Sequence, residues 1–283
     1  MAINILSLCY SLHIRFTCRR GVSLCLRRLK PLHPVVGYQN KGFENSGYSI
    51  SATTFVPVSG NRDEMTLGEI KVNDDFVSSY ISFLTTGGAT AKVSFGGKTV
   101  SANYCYWFAG DNPGDGEGWY LVADEDATVN QNNVAIPFGT GYMVFRMGDE
   151  PDAGLVYAGA VDTTPVTKGF ANSGYSICGN CSPVNLTIGD ITVNEDFVSS
   201  YISFLTTGGA TAKVAFGGKP VSANYTYWTA GDDPGDGAGW YLVADEYATV
   251  NQNDAVSLLA GQGFLVFRMG DEPDAIITVP AAL

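Results

Sequence analysis

Carboxylates and aromatic rings are the main chemistry-bearing side chains of this chain, because histidine is nearly absent. The 283 residues include two histidines, His13 and His33, and both precede residue 35. The remainder therefore has no histidine for a Ser-His-Asp or Cys-His arrangement, for a metal site or for a general base. We expect a binding or structural protein without an obligatory cofactor, and not an enzyme.

Two Gly-rich acidic segments are the first candidate sites. They run Asp111-Asn-Pro-Gly-Asp115-Gly-Glu117-Gly and Asp232-Asp-Pro-Gly-Asp236-Gly-Ala238-Gly. Calcium prefers carboxylate and carbonyl oxygens, so Asp111, Asp115, Asp232 and Asp236 are candidate calcium ligands. The spacing does not match an EF-hand, and the same residue types build solvated turns, so both interpretations stay open. A glycoside hydrolase would need two carboxylates at a defined separation, and the sequence does not pair them.

Tryptophans border both acidic segments and suggest a sugar-binding surface. The candidate ligand-binding residues are Trp107, Trp119, Tyr120, Trp228, Trp240 and Tyr241. An exposed indole beside Asp and Asn side chains can stack on a sugar ring while the polar groups bond its hydroxyls. The same rings are equally suited to a hydrophobic core, and the sequence leaves both roles open.

Cysteine chemistry is a weaker candidate. Cys105 aligns with Thr226 in the repeat described next, and the Cys178-Gly-Asn-Cys181 pair has no counterpart there. We interpret that pair as incidental, and as disulfide-linked if the chain is secreted. A redox pair or half of a zinc site is the alternative.

The chain contains two near-identical copies of one sequence. Residues 41–50 align with residues 168–177, and residues 72–132 match residues 193–253 at 53 of 61 positions. The period is too long for a stacked solenoid, so we predict a whole-domain duplication. The predicted domains are residues 35–160 and 161–283, called the first and second repeat below, with a short Pro-containing linker at the junction. The activity should use residues that occur in both repeats.

Each repeat has the pattern of an all-β domain. Glycine pairs separate short runs rich in aromatic and β-branched residues, which predicts strands joined by tight turns. Strands are expected at residues 90–95, 99–108, 119–123, 141–147 and 154–158, with Tyr104 and Tyr106 facing the core and Trp107 facing away. Residues 74–84 have helical spacing, but their serines and β-branched residues favour a loop that leads into a strand. We predict two tandem β-sandwiches, or barrel-like domains, of about seven to nine strands each.

Charge separates the N-terminus from the repeats. The first 40 residues carry six basic and no acidic side chains, whereas the remainder carries 10 basic and 28 acidic ones. We interpret residues 1–34 as a basic segment outside the domains, most simply explained by a mis-set start, with a transit peptide as the alternative. Acidic repeats repel phosphate backbones, so nucleic acid is not an expected partner. No apolar run approaches the ~20 residues that span a bilayer.

Short motifs resemble a poorly characterised repeat of large secreted or surface proteins of Gram-negative bacteria. They are Gly47-Tyr-Ser-Ile, Tyr106-Trp107, Gly118-Trp119 and Ala260-Gly-Gln-Gly-Phe-Leu-Val-Phe. The resemblance covers residues 35–283 and implies an extracytoplasmic β-sandwich at the cell surface or outside the cell.

From these observations we expect a structural or adhesive module that binds glycan weakly or contacts a cell-surface protein. The alternatives are a carboxylate-based glycoside hydrolase and an enzyme-accessory carbohydrate-binding module. Because near-identical neighbours can exchange strands during folding, we also expect domain-swapped dimers at high concentration.

Overall fold

The protein is all-β in the part of the chain that the structure describes. The computed structural model describes residues 36–43, 47–76, 79–83, 102–111, 114, 116–121, 128–146, 153–170, 174–197, 200–203, 224–232, 235, 237–242, 249–268 and 275–281. Within these ranges the helices are three-residue 3-10 turns, at Arg62–Glu64, Leu67–Glu69, Ile188–Asp190 and Glu195–Phe197. The predicted strand at residues 90–95 and the basic segment 1–34 lie outside the described residues.

Eight described strands fall in the first repeat and ten in the second. Those of the first repeat are Val36–Gly42 (β1), Gly47–Ala52 (β2), Lys71–Val72 (β3), Ser79–Phe83 (β4), Ala102–Trp107 (β5), Gly118–Leu121 (β6), Gly141–Arg146 (β7) and Gly154–Ala160 (β8). Those of the second are Val166–Phe170 (β9), Gly174–Gly179 (β10), Leu186–Thr187 (β11), Thr192–Val193 (β12), Ser200–Ser203 (β13), Asn224–Trp228 (β14), Gly239–Leu242 (β15), Ser257–Leu258 (β16), Gly263–Arg268 (β17) and Ala275–Val279 (β18). Strands β4 to β8 fall in or beside the predicted segments. In the described part of segment 74–84, a turn at residues 74 and 75 precedes β4, in agreement with the predicted loop and strand.

The strands form sheets with the same order in both repeats. A five-stranded sheet runs β2-β7-β4-β5-β6 in the first repeat and β10-β17-β13-β14-β15 in the second. Three-stranded sheets run β1-β8-β3 and β12-β18-β9, and β11 pairs with β16. Neighbouring strands are antiparallel, which permits sheets with one buried and one solvated face.

A hydrophobic cluster in each repeat joins the five-stranded sheet to the three-stranded one. In the first repeat Ile81 and Val144 of the five-stranded sheet share a cluster with Leu155 and Tyr157 of β8. In the second repeat the corresponding cluster combines Ile202 and Val266 with Ile277 and Val279. These alternating β-branched and aromatic residues fit a pleated surface that is buried on one face. We call the opposite face of each five-stranded sheet its outer face.

One edge of each five-stranded sheet, at β6 and at β15, is covered by an irregular segment. Strand β6 is the last of its sheet, and the backbone of Trp119 would otherwise lack partners there. The Trp119 amide donates to Asn132 Oδ1 at 3.0 Å, and the Gln131 amide donates to the Trp119 carbonyl at 2.8 Å. In the second repeat Asn253 and Gln252 contact Trp240 in the same way, at 2.9 and 2.8 Å.

Candidate functional site

Two of the four candidate tryptophans are fully buried. Trp119 and Trp240 have no solvent exposure and belong to the two core clusters. The indole of Trp119 donates to the Ile70 carbonyl at 2.9 Å, and that of Trp240 donates to the Ile191 carbonyl at 3.3 Å. A buried indole whose donor is used internally offers no ring face to a ligand, so these residues serve the core.

The two candidate tyrosines hold the acidic segments in place. Tyr120 is buried on the outer face, and its hydroxyl donates to the Gly116 carbonyl at 2.8 Å. A side chain at Gly114 would overlap the Tyr120 ring, at 2.6 Å from its Cε1, so the acidic segment lies directly against the tyrosine. Tyr241 repeats the arrangement, with its hydroxyl 2.9 Å from the Gly237 carbonyl. The role of the two tyrosines is therefore to hold the backbone of the acidic segments in its conformation.

The remaining candidates, Trp107 and Trp228, lie half-buried on the outer faces. Trp107 is opposite Gly118 in the pairing of β5 with β6, and Trp228 is opposite Gly239 in the pairing of β14 with β15. The preceding residue Tyr106 packs edge-on against Trp119, with ring centroids 5.2 Å apart. Alternation along β5 therefore directs Trp107 away from the core, as predicted. A glycine opposite each tryptophan leaves its flank free of a cross-strand side chain.

The first repeat has an additional polar contact beside this position. The Tyr106 hydroxyl donates to Glu117 Oε1 at 2.5 Å, and partial burial together with this carboxylate raises the pKa of Tyr106. The second repeat has Tyr227 and Ala238 at these positions and so lacks the pair. The contact fastens the end of the acidic segment to β5 in the first repeat alone.

The calcium candidates are described only in part. Asp111 and Asp232 are exposed in the turns that follow Trp107 and Trp228, and their amides donate to Phe108 and Thr229 carbonyls at 3.2 and 3.3 Å. Thr229 Oγ1 also donates to Asp232 Oδ2. Asp115 and Asp236 lie outside the described residues. Among the residues that are described, no three His, Cys, Asp or Glu side chains are grouped so that they could hold a metal ion. The calcium site stays a prediction.

The three cysteines of the repeats are free thiols in the structure, so the disulfide expected between Cys178 and Cys181 in a secreted chain is not formed. Cys178 and Cys181 are buried, and Cys105 is half-buried. Burial raises the pKa of Cys178, and burial with the nearby Cys178 raises the pKa of Cys181 to about 12. Because the thiolate is the reactive form, burial makes these thiols less nucleophilic than an exposed cysteine. The redox pair or half zinc site stays an untested alternative.

Sequence reasoning missed a contact between the first repeat and the linker. Arg62 lies in a segment that the second repeat lacks, and its guanidinium donates to Asp162 Oδ2 and to the Thr164 and Pro165 carbonyls, the last at 3.1 Å. The guanidinium also lies 5.3 Å from the centre of the Phe138 ring. Burial tends to raise the pKa of Asp162, but hydrogen bonds from Arg62 and from the Thr164 amide outweigh it and lower the pKa. The insertion thus fixes the linker. The sequence feature that could have drawn attention to this contact is the presence of the insertion in the first repeat alone.

A second contact that the sequence did not predict joins the repeats through a lysine. Lys41 Nζ on β1 donates to the Gly261 carbonyl of the second repeat, and burial of the ammonium lowers the pKa of Lys41 to about 7. Its counterpart Lys168 donates to the Ile177 carbonyl at 2.7 Å, within its own repeat. The two lysines are equivalent in sequence but not in contact.

Comparison with known proteins adds no identification to this all-β protein. A scan against protein-family models, a search of curated proteins and a search of solved structures each found no match. Across the described ranges, no helix has the length and apolar character needed to cross a membrane.

Proposed function

We propose that the chain is a non-catalytic, extracytoplasmic module of two tandem β-sandwiches, structural or adhesive in role, that binds glycan weakly through Trp107 and Trp228. The observation that carries the proposal is the occurrence of a half-buried tryptophan on the outer face of both five-stranded sheets. Each is followed by a turn with an exposed aspartate, Asp111 or Asp232. An aromatic ring beside a hydrogen-bonding carboxylate suits a sugar, which has an apolar ring face and polar hydroxyls.

The division into two sandwich domains is supported by the two separate core clusters. Each cluster draws side chains from a five-stranded and a three-stranded sheet of one repeat. A unit of about 120 residues can bury roughly two thirds of the surface that its unfolded chain exposes, which is enough for an independent core.

Duplication of a weak site favours adhesion over catalysis. When two sites engage a surface at once, the second binding event is intramolecular, and avidity can exceed the single-site affinity by about 10²-fold or more. The chemical class of partner is therefore a multivalent glycan, and the resemblance to bacterial surface repeats supports a location outside the cytoplasm.

A glycan array with the intact chain tests this function. The double variant Trp107→Ala with Trp228→Ala should fail to bind every glycan that the unmodified protein binds on the array. Each single variant should keep binding in solution at half the stoichiometry but lose avidity on the array. Tyr38→Ala is the matched control, since Tyr38 is a half-exposed aromatic residue of β1, outside the outer faces.

Two results would redirect the proposal. Failure of the intact protein to bind any arrayed glycan would remove sugar as the ligand. Turnover of a glycan substrate that disappears in Asp115→Asn with Asp236→Asn would establish the carboxylate hydrolase instead.

A further inference from the structure

Four apolar side chains of the outer faces are buried without belonging to either core. Ile50 and Met143 of the first repeat are 4% and 1% exposed, and Ile177 and Leu265 of the second are 2% and 1% exposed. Ile50 pairs with Met143 across β2 and β7, and Ile177 pairs with Leu265 across β10 and β17. These strand pairs contact each other, so the β2–β7 part of one outer face packs against the β10–β17 part of the other. We call the β2–β7 and β10–β17 parts of the outer faces the docking faces.

Glycines allow the docking faces to approach closely, and a glycine of each repeat lies against an isoleucine of the other. A Cβ on Gly141 would lie 2.3 Å from Ile177 Cγ2 in the second repeat. A Cβ on Gly263 would lie 2.1 Å from Ile50 Cγ2 in the first repeat. The alignment of the repeats equates Gly141 with Gly263 and Ile50 with Ile177. The same contact is therefore made twice, with the two repeats exchanging roles.

A second reciprocal pair lies at the ends of the same strands. A Cβ on Gly139 would lie 2.4 Å from Val166 Cγ1, and one on Gly261 would lie 3.5 Å from Gln39 Oε1. Gly139 corresponds to Gly261, and Gln39 corresponds to Val166. Two independent exchanged pairs are what a two-fold rotation between the repeats requires, and an interface of that kind uses the same patch on both partners.

One contact lies where the rotation axis must pass. Ala52 and Gly179 occupy the same position in the two repeats, and they meet each other: a Cβ on Gly179 would lie 2.4 Å from Ala52 Cβ. Real Cβ atoms do not approach so closely, so one of the two positions must lack a side chain.

We infer that the docking face is a two-fold, homotypic interaction surface whose partner is another copy of the same repeat, and that the Ala52–Gly179 contact sets which copies can pair. A first repeat cannot dock with another first repeat, because alanine would then stand on both sides of the axis. A first repeat docks with a second one, and that pairing is satisfied within the chain. A single methyl group thereby supplies the repulsive element that specificity between similar partners needs.

Exchange of the two axis residues tests this inference in the full-length chain. The Ala52 amide donates to the Gly261 carbonyl of the other repeat at 3.0 Å, so hydrogen exchange at position 52 reports docking. Gly179→Ala should reduce protection of the position 52 amide against hydrogen exchange by about tenfold or more. The added methyl group pushes the docking faces apart, so the bond from this amide to the Gly261 carbonyl opens more often. Adding Ala52→Gly should restore protection, and Ala52→Gly alone should retain it.

Controls separate undocking from unfolding. Gly169→Ala is the matched glycine substitution, since a Cβ there meets nothing within 4 Å, and it should leave position 52 protected. The amides of Trp119 and Trp240, which donate to asparagines of their own repeats, should stay protected in every variant. Gly141→Ala, whose overlaps are with the second repeat, should reproduce the loss at position 52.

The inference is overturned by any of three results. The first is full protection at position 52 in both Gly179→Ala and Gly141→Ala. The second is a double variant that stays as unprotected as Gly179→Ala. The third is loss of protection at Trp240 in Gly179→Ala while Gly141→Ala leaves position 52 protected, since the overlap would then lie within the second repeat.

Discussion

Replacing Trp119 with phenylalanine should destabilise the first repeat, because the structure assigns this residue to the core and not to a ligand. The substitution removes the indole donor and leaves the buried Ile70 carbonyl without that partner, at a cost of about 1–3 kcal/mol. The smaller ring also leaves a void between Phe76 and Tyr106, which pack edge-on against Trp119 at 6.0 and 5.2 Å, and such a void costs about 1 kcal/mol. Together these losses lower the free energy of unfolding by about 2–4 kcal/mol, or the melting temperature by on the order of 10 °C.

Urea unfolding followed by circular dichroism measures this change, with Trp107→Phe as the matched control on the opposite face of the same sheet. The control should lose less than about 1 kcal/mol. Trp240→Phe should lose slightly less than Trp119→Phe, because its bond to the Ile191 carbonyl is longer, at 3.3 Å. Equal losses in Trp107→Phe and Trp119→Phe would refute the assignment of the two tryptophans to different faces.

Two further predictions concern the contacts between the repeats. Since the pKa of Lys41 is lower in the folded protein than in the unfolded chain, the unfolded chain binds more protons above about pH 7. Stability should therefore rise with pH from about 7 towards the ordinary lysine pKa, by at most about 1.4 kcal/mol per pH unit from this group. Lys41→Met should flatten that slope whereas Lys71→Met on exposed β3 should not, and parallel curves for both variants would contradict the burial of the ammonium. Arg62→Ala should lower the free energy of unfolding by about 1 kcal/mol or less but speed hydrogen exchange at the Thr164 amide, which donates to Asp162 at 2.8 Å. Unchanged exchange there would show that Arg62 does not hold the linker.

The sequence predicted the strands well because their signals are local. Alternation over Tyr104, Tyr106 and Trp107 correctly separated the core face from the outer face, and glycine-bounded aromatic runs located β5 to β8. It left open whether Trp119 and Trp240 would be buried in the core or exposed to a ligand. The difference in burial between Trp107 and Trp119 follows from the register between β5 and β6, which places Tyr106 opposite Trp119.

The contacts between the repeats could not be predicted from sequence. Gly141 and Gly263 look like ordinary strand-end glycines, and their role depends on atoms more than 30 residues away in the chain. Lys41 and Lys168 occupy equivalent positions, each before Gly-Phe, yet one donates across to the other repeat and the other donates within its own. Only the insertion around Arg62 could be recognised in the sequence, because it interrupts the alignment of the two repeats. Its contact with the linker could not be predicted.

The asparagines beside β6 and β15 bear on how two such similar copies avoid aggregation. A strand from the other repeat, or from a second molecule, that adds to the β6 or β15 edge would have to pair with the backbone of Trp119 or Trp240. Asn132 and Asn253 already occupy those backbone amides, so an incoming strand gains a bond only by breaking one. This cover acts against strand addition at the β6 and β15 edges. The swapped dimers expected from the near-identity of the repeats exchange native strands and stay a prediction.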